Sequence, residues 1–376
     1  MITEIKNAWI IPNEKEKFYG SLFIKDEKIL GYQYSGKVDK TIDGKGNIVI
    51  PGLIDIHFHG SHGYDFISNP KESVCEISKQ LVYEGTTSFM ASLTVISHED
   101  MISLLDEYKD VKDPGSHFLG IHSEGPYLSK DYKAVMDDRF LRNPSIDELN
   151  EMMEHSNQIK VMTVACELEG MDTFIPYASK FITCMIGHTN STAQQALHGL
   201  KLGAKGFTHL YNAMSQHSHR NPGCVTAAFL SDAYSELICD GFHVHPDIIK
   251  ATYKILGPQH IVLITDASLC KGLPDGEYIF SNLPCIKKGN TVRVKETGRI
   301  AGSAISMLDA IQNMKKFCNC SINELVQMAC INPADCCNIK NKGKLEKGYD
   351  ADLIFLDEAL NWKGTMISGK LLAEEL

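Results

Sequence analysis

The chain has 376 residues, 43% hydrophobic and 22% charged, with a formal net charge of −10. That suits a globular protein with one large domain and room for a small companion, and it argues against a nucleic-acid backbone or an anionic membrane as the main partner. No apolar run approaches the roughly 20 residues that span a bilayer, and the opening "MITEIKNAWIIPNEKEKF" lacks a basic segment followed by an apolar core.

The first fifty residues are expected to be β-structure. "AWIIP", "GSLFIKDEKILGYQ" and "GNIVIPG" are short β-branched runs between turn residues. From residue 52 the pattern becomes apolar runs of four to seven residues alternating with longer segments of helical period. The runs are "LIDIHFHG", "TTSFMASLT", "HFLGIHSEG", "IKVMTVACE", "FITCMIGHT", "AKGFTHLYN", "SELICDGFH" and "HIVLITDAS". Between them lie "KESVCEISKQLVYEG", "HEDMISLLDEYKD", "STAQQALHGLKLGA" and "HPDIIKATYKILG", with apolar positions three and four apart. Eight strand–helix repeats with strands too apolar for a one-sided sheet predict an α/β fold, a (β/α)8 TIM-like barrel over 52–343. A doubly wound open sheet is the alternative. "SAISMLDAIQNMKKF" and "INELVQMACINPADCC" are helical, and "GKLEKGYDADLIFLD" is β-like again. Residues 1–51 and 344–376 are therefore expected to meet in a small β-sandwich domain. The twelve cysteines are scattered and contain no CxxC; they are expected to be free thiols of a cytoplasmic protein.

In a βα barrel the chemistry sits at the C-terminal ends of the strands. The first run ends in His57 and His59, two apart and so on one face of a strand, with Ile54, Ile56 and Phe58 on the other. Glu124 ends the third run, His188 the fifth and His209 the sixth. Asp240 and His243 end the seventh, and Asp266 the eighth. One such residue is ordinarily a satisfied structural group. Six loaded strand ends are different, because burying that many ionisable groups together is costly unless a cation or mutual pairing compensates. Imidazole with carboxylate and no thiolate suits Zn, Fe, Mn, Co or Ni. Such an ion activates water, and a carboxylate left unliganded beside it serves as general base and then acid. Asp266 is the candidate for that carboxylate, and the reaction expected is metal-assisted hydrolysis.

"PGLIDIHFHG", "HSEGPY", "IGHTNST", "THLYNAM", "ICDGFHVHP" and "LITDA", followed by "IAGSAISM" and "GKLEKGYDADLIFLD", resemble the words of the N-acetylglucosamine-6-phosphate deacetylases of the amidohydrolase superfamily, in that family's order. The resemblance implies deacetylation of N-acetylglucosamine 6-phosphate to glucosamine 6-phosphate and acetate by one or two divalent ions, with zinc foremost. It implies that Glu124, His188 and His209 hold the principal metal, that His57 and His59 match members with a second, and that Asp266 is the acid–base residue. It further implies substrate contacts from Asn212 and Ala213, from Asp240, Gly241, Phe242 and His243, and from Ile300, Ala301 and Gly302. Arg220 would hold the phosphate, which its planar fork suits, reaching across a homodimer. A carboxylated-lysine site is not expected, since Lys160 stands at the wrong end of its strand. His62, His217, His219 and His245 receive no metal role.

One departure stands out. After "EGPYL" the family usually continues to a Gly-Ala/Thr-His or -Gln word that touches substrate, and here "SKDYKAVMDDRF" places Val135 and Met136 there. The following Asp137 and Asp138 would disfavour a nearby phosphate unless Arg139 or Lys133 offsets them. A deacetylase of another N-acetyl amino sugar, such as N-acetylgalactosamine 6-phosphate, or of a non-phosphorylated N-acyl compound is the alternative. A non-catalytic sugar-phosphate-binding barrel is a third reading.

Overall fold

The computed structural model describes residues 1–376. Eight parallel strands follow one another around a barrel: β1 (Leu53–Asp55), β2 (Thr86–Leu93), β3 (His117–Glu124), β4 (Ile159–Val164), β5 (Thr183–Ile186), β6 (Gly206–Phe207), β7 (Tyr234–Ile238) and β8 (Ile261–Ile264). Each is paired with the next in that order, and a helix fills every crossover, as parallel pairing requires. Between β8 and β1 there is no ladder. Instead Asp266 N–H donates to His57 O (2.9 Å), His59 N–H to Ala267 O (2.7 Å) and Thr265 Oγ1 to Asp55 Oδ2 (2.6 Å). The seam is thus closed by residues expected to carry the chemistry.

Alternation along the strands separates two apolar layers. Phe89, Ala91, Ile121, Met162, Val164, Cys184, Ile186, Leu237 and Leu263 pack outward against the helices. Ile54, Ile56, Met90, Val161, Met185, Ile238, Val262 and Ile264 join Ala334, Cys336 and Cys337 of the last helix in a separate inner cluster. Phe58 departs from the period-two expectation: it packs with Phe66 and Phe89 in the outer layer rather than with Ile54 and Ile56. The ladder of β1 stops at Asp55, so the pleat does not carry through to the histidines.

The two chain ends do meet. Strand 48–51 runs antiparallel to 353–356 and parallel to the end of strand 2–10, in one eight-stranded sheet completed by 18–25, 28–31, 40–43, 362–367 and 370–374. Its own core includes Ile5, Leu22, Val49, Leu353, Phe355 and Met366.

The sequence reading did not foresee a four-stranded antiparallel sheet after β8, formed by 276–280, 283–288, 291–294 and 300–303. Its first turn, Ser281–Asn282, has both residues at positive φ (48° and 61°), the two-residue hairpin turn that matches strand twist. Its last strand returns to the barrel, where Ser303 N–H donates to Asp266 O (2.8 Å).

Candidate active site

At the C-terminal rim of the barrel the dispersed residues converge. Nε2 of His188 and of His209 lie 3.0 and 2.9 Å from Glu124 Oε1 and 3.1 Å from each other. His59 Nε2 is 3.2 Å from Glu124 Oε2, and His57 Nε2 is 3.6 Å from Oε1. Asp266 Oδ1 faces both of the latter rings, 3.4 Å from His59 Nε2 and 3.9 Å from His57 Nε2. All these side chains are buried except Asp266, which is 13% exposed.

In three of the four histidines the other ring nitrogen fixes which atom is presented; His209 Nδ1 has no partner. Nδ1–H of His188 donates to Tyr132 O (2.8 Å), that of His59 to Ser92 O (3.1 Å) and that of His57 to Glu236 Oε2 (2.9 Å). In that tautomer each Nε2 turns a lone pair inward, as a metal-binding imidazole must. Lone pairs and carboxylates facing one another at about 3 Å repel unless a positive charge lies among them. Neighbouring ligands around one ion with bonds of about 2 Å have this spacing, so the donor set fits a divalent cation: Glu124, His188 and His209 on one side, His57, His59 and Glu124 on the other.

The electrostatics agree. Burial pushes the His57 imidazole down, but Glu236, Glu124 and Asp266 overcome it and raise it to about 9. Burial opposes in the same way at His59, where Asp266 and Glu124 raise the ring to about 10. Burial raises the Glu124 carboxyl, yet His188, His209 and His59 hold it well below the ordinary range. At Asp266 burial again opposes, and His59 and His57 bring the carboxyl to about 2. The cavity is built for positive charge, and cations displace protons from such ligands.

Local backbone supports this convergence. His188, His209 and Asp266, each two residues past a strand end, have φ of 47°, 32° and 47°. Non-glycine residues enter this left-handed region at a cost of about 1–3 kcal/mol each, which functional sites tolerate.

Beneath the rim lies a layer that the sequence reading missed. Glu236, mid-strand on β7 and fully buried, accepts from His57 Nδ1 and from His209 N–H (3.1 Å) with Oε2, while its Oε1 has no partner. His57, His122 and Glu236 also cluster closely, but both nitrogens of His122 are engaged: Nδ1–H donates to Ile56 O (3.0 Å) and Nε2 accepts from Thr163 Oγ1 (2.8 Å). Burial and the His57 ring push His122 down to about 4, so it is neutral. This layer hydrogen-bonds the His57 ring and the His209 backbone above it. Its signal in the sequence is a lone carboxylate inside the apolar run "SELIC", with its partner 179 residues away.

The remaining expected site residues divide. Asn212 and Ala213 come three and four residues after His209, with Asn212 Nδ2 donating to His209 O (3.2 Å). Asp240 does not join the cluster. It accepts from Phe242 N–H and His243 N–H and pairs with His243 Nδ1 (2.6 Å), shaping its own loop around Gly241. Ile300, Ala301 and Gly302 lie on the strand alongside Asp266, and a Cβ on Gly302 would sit 3.0 Å from Asp266 O. Arg220 is exposed on its loop. Met136 is buried against Val95, Leu128 and Leu141, and the acidic pair beside it is offset as anticipated, Asp137 by Arg139 (2.6 Å) and Asp138 by Lys133 (2.8 Å). Lys160 is bonded to Asn157 O at the start of β4, away from the rim. His62, His217 and His245 pair with Ser61, Thr226 and the backbone of Asp247 outside the cluster.

The amidohydrolase family model matches residues 48–372. The N-acetylglucosamine-6-phosphate deacetylase of Lysinibacillus sphaericus is 32% identical over 98% of this chain and 97% of its own. That of Danio rerio is 30% identical over 98% and 96%. The solved structure of the Thermotoga maritima N-acetylglucosamine-6-phosphate deacetylase superposes with a TM-score of 0.90 at 30% identity over 100% of both chains. A mutant of the Mycobacterium smegmatis enzyme, in complex with N-acetyl-D-glucosamine-6-phosphate, gives 0.91 at 26% over 99% of both. A strand-end cluster that fits a divalent ion, on a chain matched nearly end to end, places this protein in the amidohydrolase family of metal-dependent enzymes, among the N-acetylglucosamine-6-phosphate deacetylases.

Proposed function

We propose that the protein hydrolyses N-acetylglucosamine 6-phosphate to glucosamine 6-phosphate and acetate, and that Glu124, His188 and His209 hold the principal ion, with His57 and His59 joining Glu124 around a second. A divalent ion, zinc foremost, supplies Lewis-acid polarisation and acidifies water when bound there. Asp266, held ionised with its carboxyl at about 2, accepts the proton of the attacking water and passes it to the amide nitrogen, which leaves only when protonated. Asn212, Ala213, the 240–243 loop and the 300–302 strand bind the sugar. Arg220, solvent-exposed within its own chain, suits the phosphate in a homodimer. Residues 1–51 with 344–376 are assigned to a supporting β-sandwich domain and 52–343 to the catalytic barrel, in a cytoplasmic protein whose cysteines are all free.

The observation that carries this reading is the convergence of four imidazole nitrogens on Glu124, with Asp266 Oδ1 within 4 Å of two of them. Elemental analysis of the purified protein, paired with acetate release from phosphorylated and plain N-acetyl amino sugars, tests it. Bound divalent metal with turnover on N-acetylglucosamine 6-phosphate is expected, and absence of either overturns it. Val135 and Met136 at the substrate-contact position favour a second reading, another N-acetyl amino sugar, which wins if that sugar is turned over faster.

A further inference from the structure

The C-terminal end of β4 has no role in the site described so far, yet its run closes on a carboxylate. Glu167 stands three residues past Val164, where the strand ends. It is not among the clustered metal donors. Its Oε2 accepts from the Thr189 hydroxyl and its Oε1 from Asn190 N–H (2.6 Å). Those two residues directly follow His188.

His188 is one of the strained rim residues, with φ of 47°, and such a conformation persists only where its surroundings over-determine it. The backbone supplies part of that hold. Gly187 N–H donates to Val164 O (3.1 Å), Ser129 N–H to His188 O (2.9 Å), Thr189 N–H to Ala213 O (3.2 Å) and Ser215 N–H to Thr189 O (3.1 Å). Two donors of the segment then remain, and one carboxylate takes both. The Thr189 oxygen accepts from Ser191 N–H (3.1 Å), so its own proton is free for Glu167. Hydrogen bonds to an ionised carboxylate are stronger than those between neutral groups. The other histidine proposed for the principal site is served alike, since Glu236 Oε2 accepts His209 N–H (3.1 Å). Asn190 Nδ2 also donates to Asp131 Oδ2 (3.0 Å), beside the Tyr132 carbonyl that receives His188 Nδ1–H. Ring and following backbone therefore lean on adjoining residues, with Glu167 gripping the backbone from the β4 side.

We propose that Glu167 is a positioning residue of the metal site: by holding Thr189 and Asn190 it fixes the backbone that aims His188 Nε2 at the ion. This rests on the assignment of His188 as a metal ligand made above. A ligand must be kept within about 0.5 Å of its working position, and loss of a partner that orients one typically costs 10–100-fold in metal affinity or activity.

The test compares the natural chain with Glu167→Ala and Glu167→Gln, reading zinc affinity by competition with a chelator and steady-state kinetics on N-acetylglucosamine 6-phosphate at saturating zinc. Glu167→Ala should weaken zinc binding at least tenfold and lower kcat at least tenfold, with KM within about threefold, because the 240–243 and 300–302 contacts are untouched. Glu167→Gln can still accept from Asn190 N–H while its amide donates to the Thr189 oxygen, and it should restore both quantities to within about threefold of the natural chain. An alanine variant that melts earlier but keeps natural zinc affinity and kcat would show a structural role only and overturn the proposal. A glutamine variant as impaired as alanine would overturn it too, since position would then not be what Glu167 supplies. If Glu167→Ala does not fold, Thr189→Val removes one of the two donors and should weaken zinc binding at least threefold; natural affinity there overturns the proposal. Absence of turnover by the zinc-loaded natural chain defeats the deacetylase reading alone, and the zinc measurements still decide the role of Glu167.

Discussion

Asp266, slightly exposed, and Glu236, fully buried, are both carboxylates within reach of His57, yet their positions give them opposite work. Asp266 Oδ1 stands on the solvent-exposed side of the cluster, 3.4 Å from His59 Nε2, where the proposed mechanism puts the reacting water. Glu236 sits behind the ring, its Oε2 shared between His57 Nδ1 and His209 N–H. Asp266→Asn keeps the shape and removes the proton acceptor. It should retain bound metal and lose at least about a thousandfold in kcat, the scale of a general acid–base contribution; a variant with near-normal turnover would refute the assignment. Glu236→Gln leaves an acceptor for Nδ1–H but removes the charge that makes the ring a strong donor. Metal affinity should fall by about 10–100-fold, as for other partners of ligating histidines, read as a lower metal-to-protein ratio after dialysis against chelator. Unchanged stoichiometry would show that Glu236 is structural only. The difference in legibility follows from the same geometry. Asp266 ends an apolar run before a turn, where barrel chemistry is sought; Glu236 lies inside a strand, where only the partner ring, brought near by closure of the barrel, reveals its use.

The strands deliver the proposed ligands by stopping abruptly. β5 ends at Ile186, Gly187 passes between its neighbours, and His188 turns into the left-handed region. A Cβ on Gly187 would lie 2.7 Å from Thr208 Cβ and 2.9 Å from Thr163 Cγ2, so the glycine permits close approach of β4, β5 and β6 at the height of the cluster. Gly187→Ala must push β5 away from these threonines. It should cost about 1–3 kcal/mol, the usual penalty of overpacking, and weaken metal retention because His188 moves with the strand. Thermal melts with and without added zinc check this: a variant matching the natural chain in both would mean that the neighbours yield without cost. Periodicity located every barrel strand and four of the helices between them, because buried parallel strands and amphipathic helices impose distinct patterns; the crossover helices Ile146–His155, Met171–Ala178 and Cys224–Phe229 were not singled out. It did not find the antiparallel sheet over 276–303, whose strands are four to six residues long and only half apolar. It also assumed an unbroken pleat from Ile54 to His59, whereas the ladder ends at Asp55 and the next residues follow the seam with β8 instead.

At the scale of the whole molecule, the terminal sheet and the barrel are joined by a buried polar knot centred on Asp352. Its Oδ1 accepts from Ser368 N–H (2.8 Å), Lys342 Nζ donates to its Oδ2, and His117 Nε2, at the first residue of β3, lies 3.6 Å away. The likeness of the two chain ends foretold their meeting, since β-branched runs at both termini need partners; the knot was invisible, because its members lie up to 251 residues apart. Burial raises the Asp352 carboxyl, but His117 and Lys342 outweigh it and bring it to about 2, against about 3.9 in an unfolded chain. A group whose folded pKa is depressed stabilises above its unfolded pKa and loses that stabilisation as pH falls toward the folded one. The difference is worth about 2–3 kcal/mol at neutral pH and roughly half of that by pH 3. Asp352→Asn should therefore unfold at lower urea concentration than the natural chain by a margin that is constant from pH 7 to about 5 and narrows below 4, with the barrel's metal content unaffected. A margin that stays constant down to pH 3 would mean that the amide's loss is steric, and that the ends are held to the barrel by apolar contact rather than by this carboxylate.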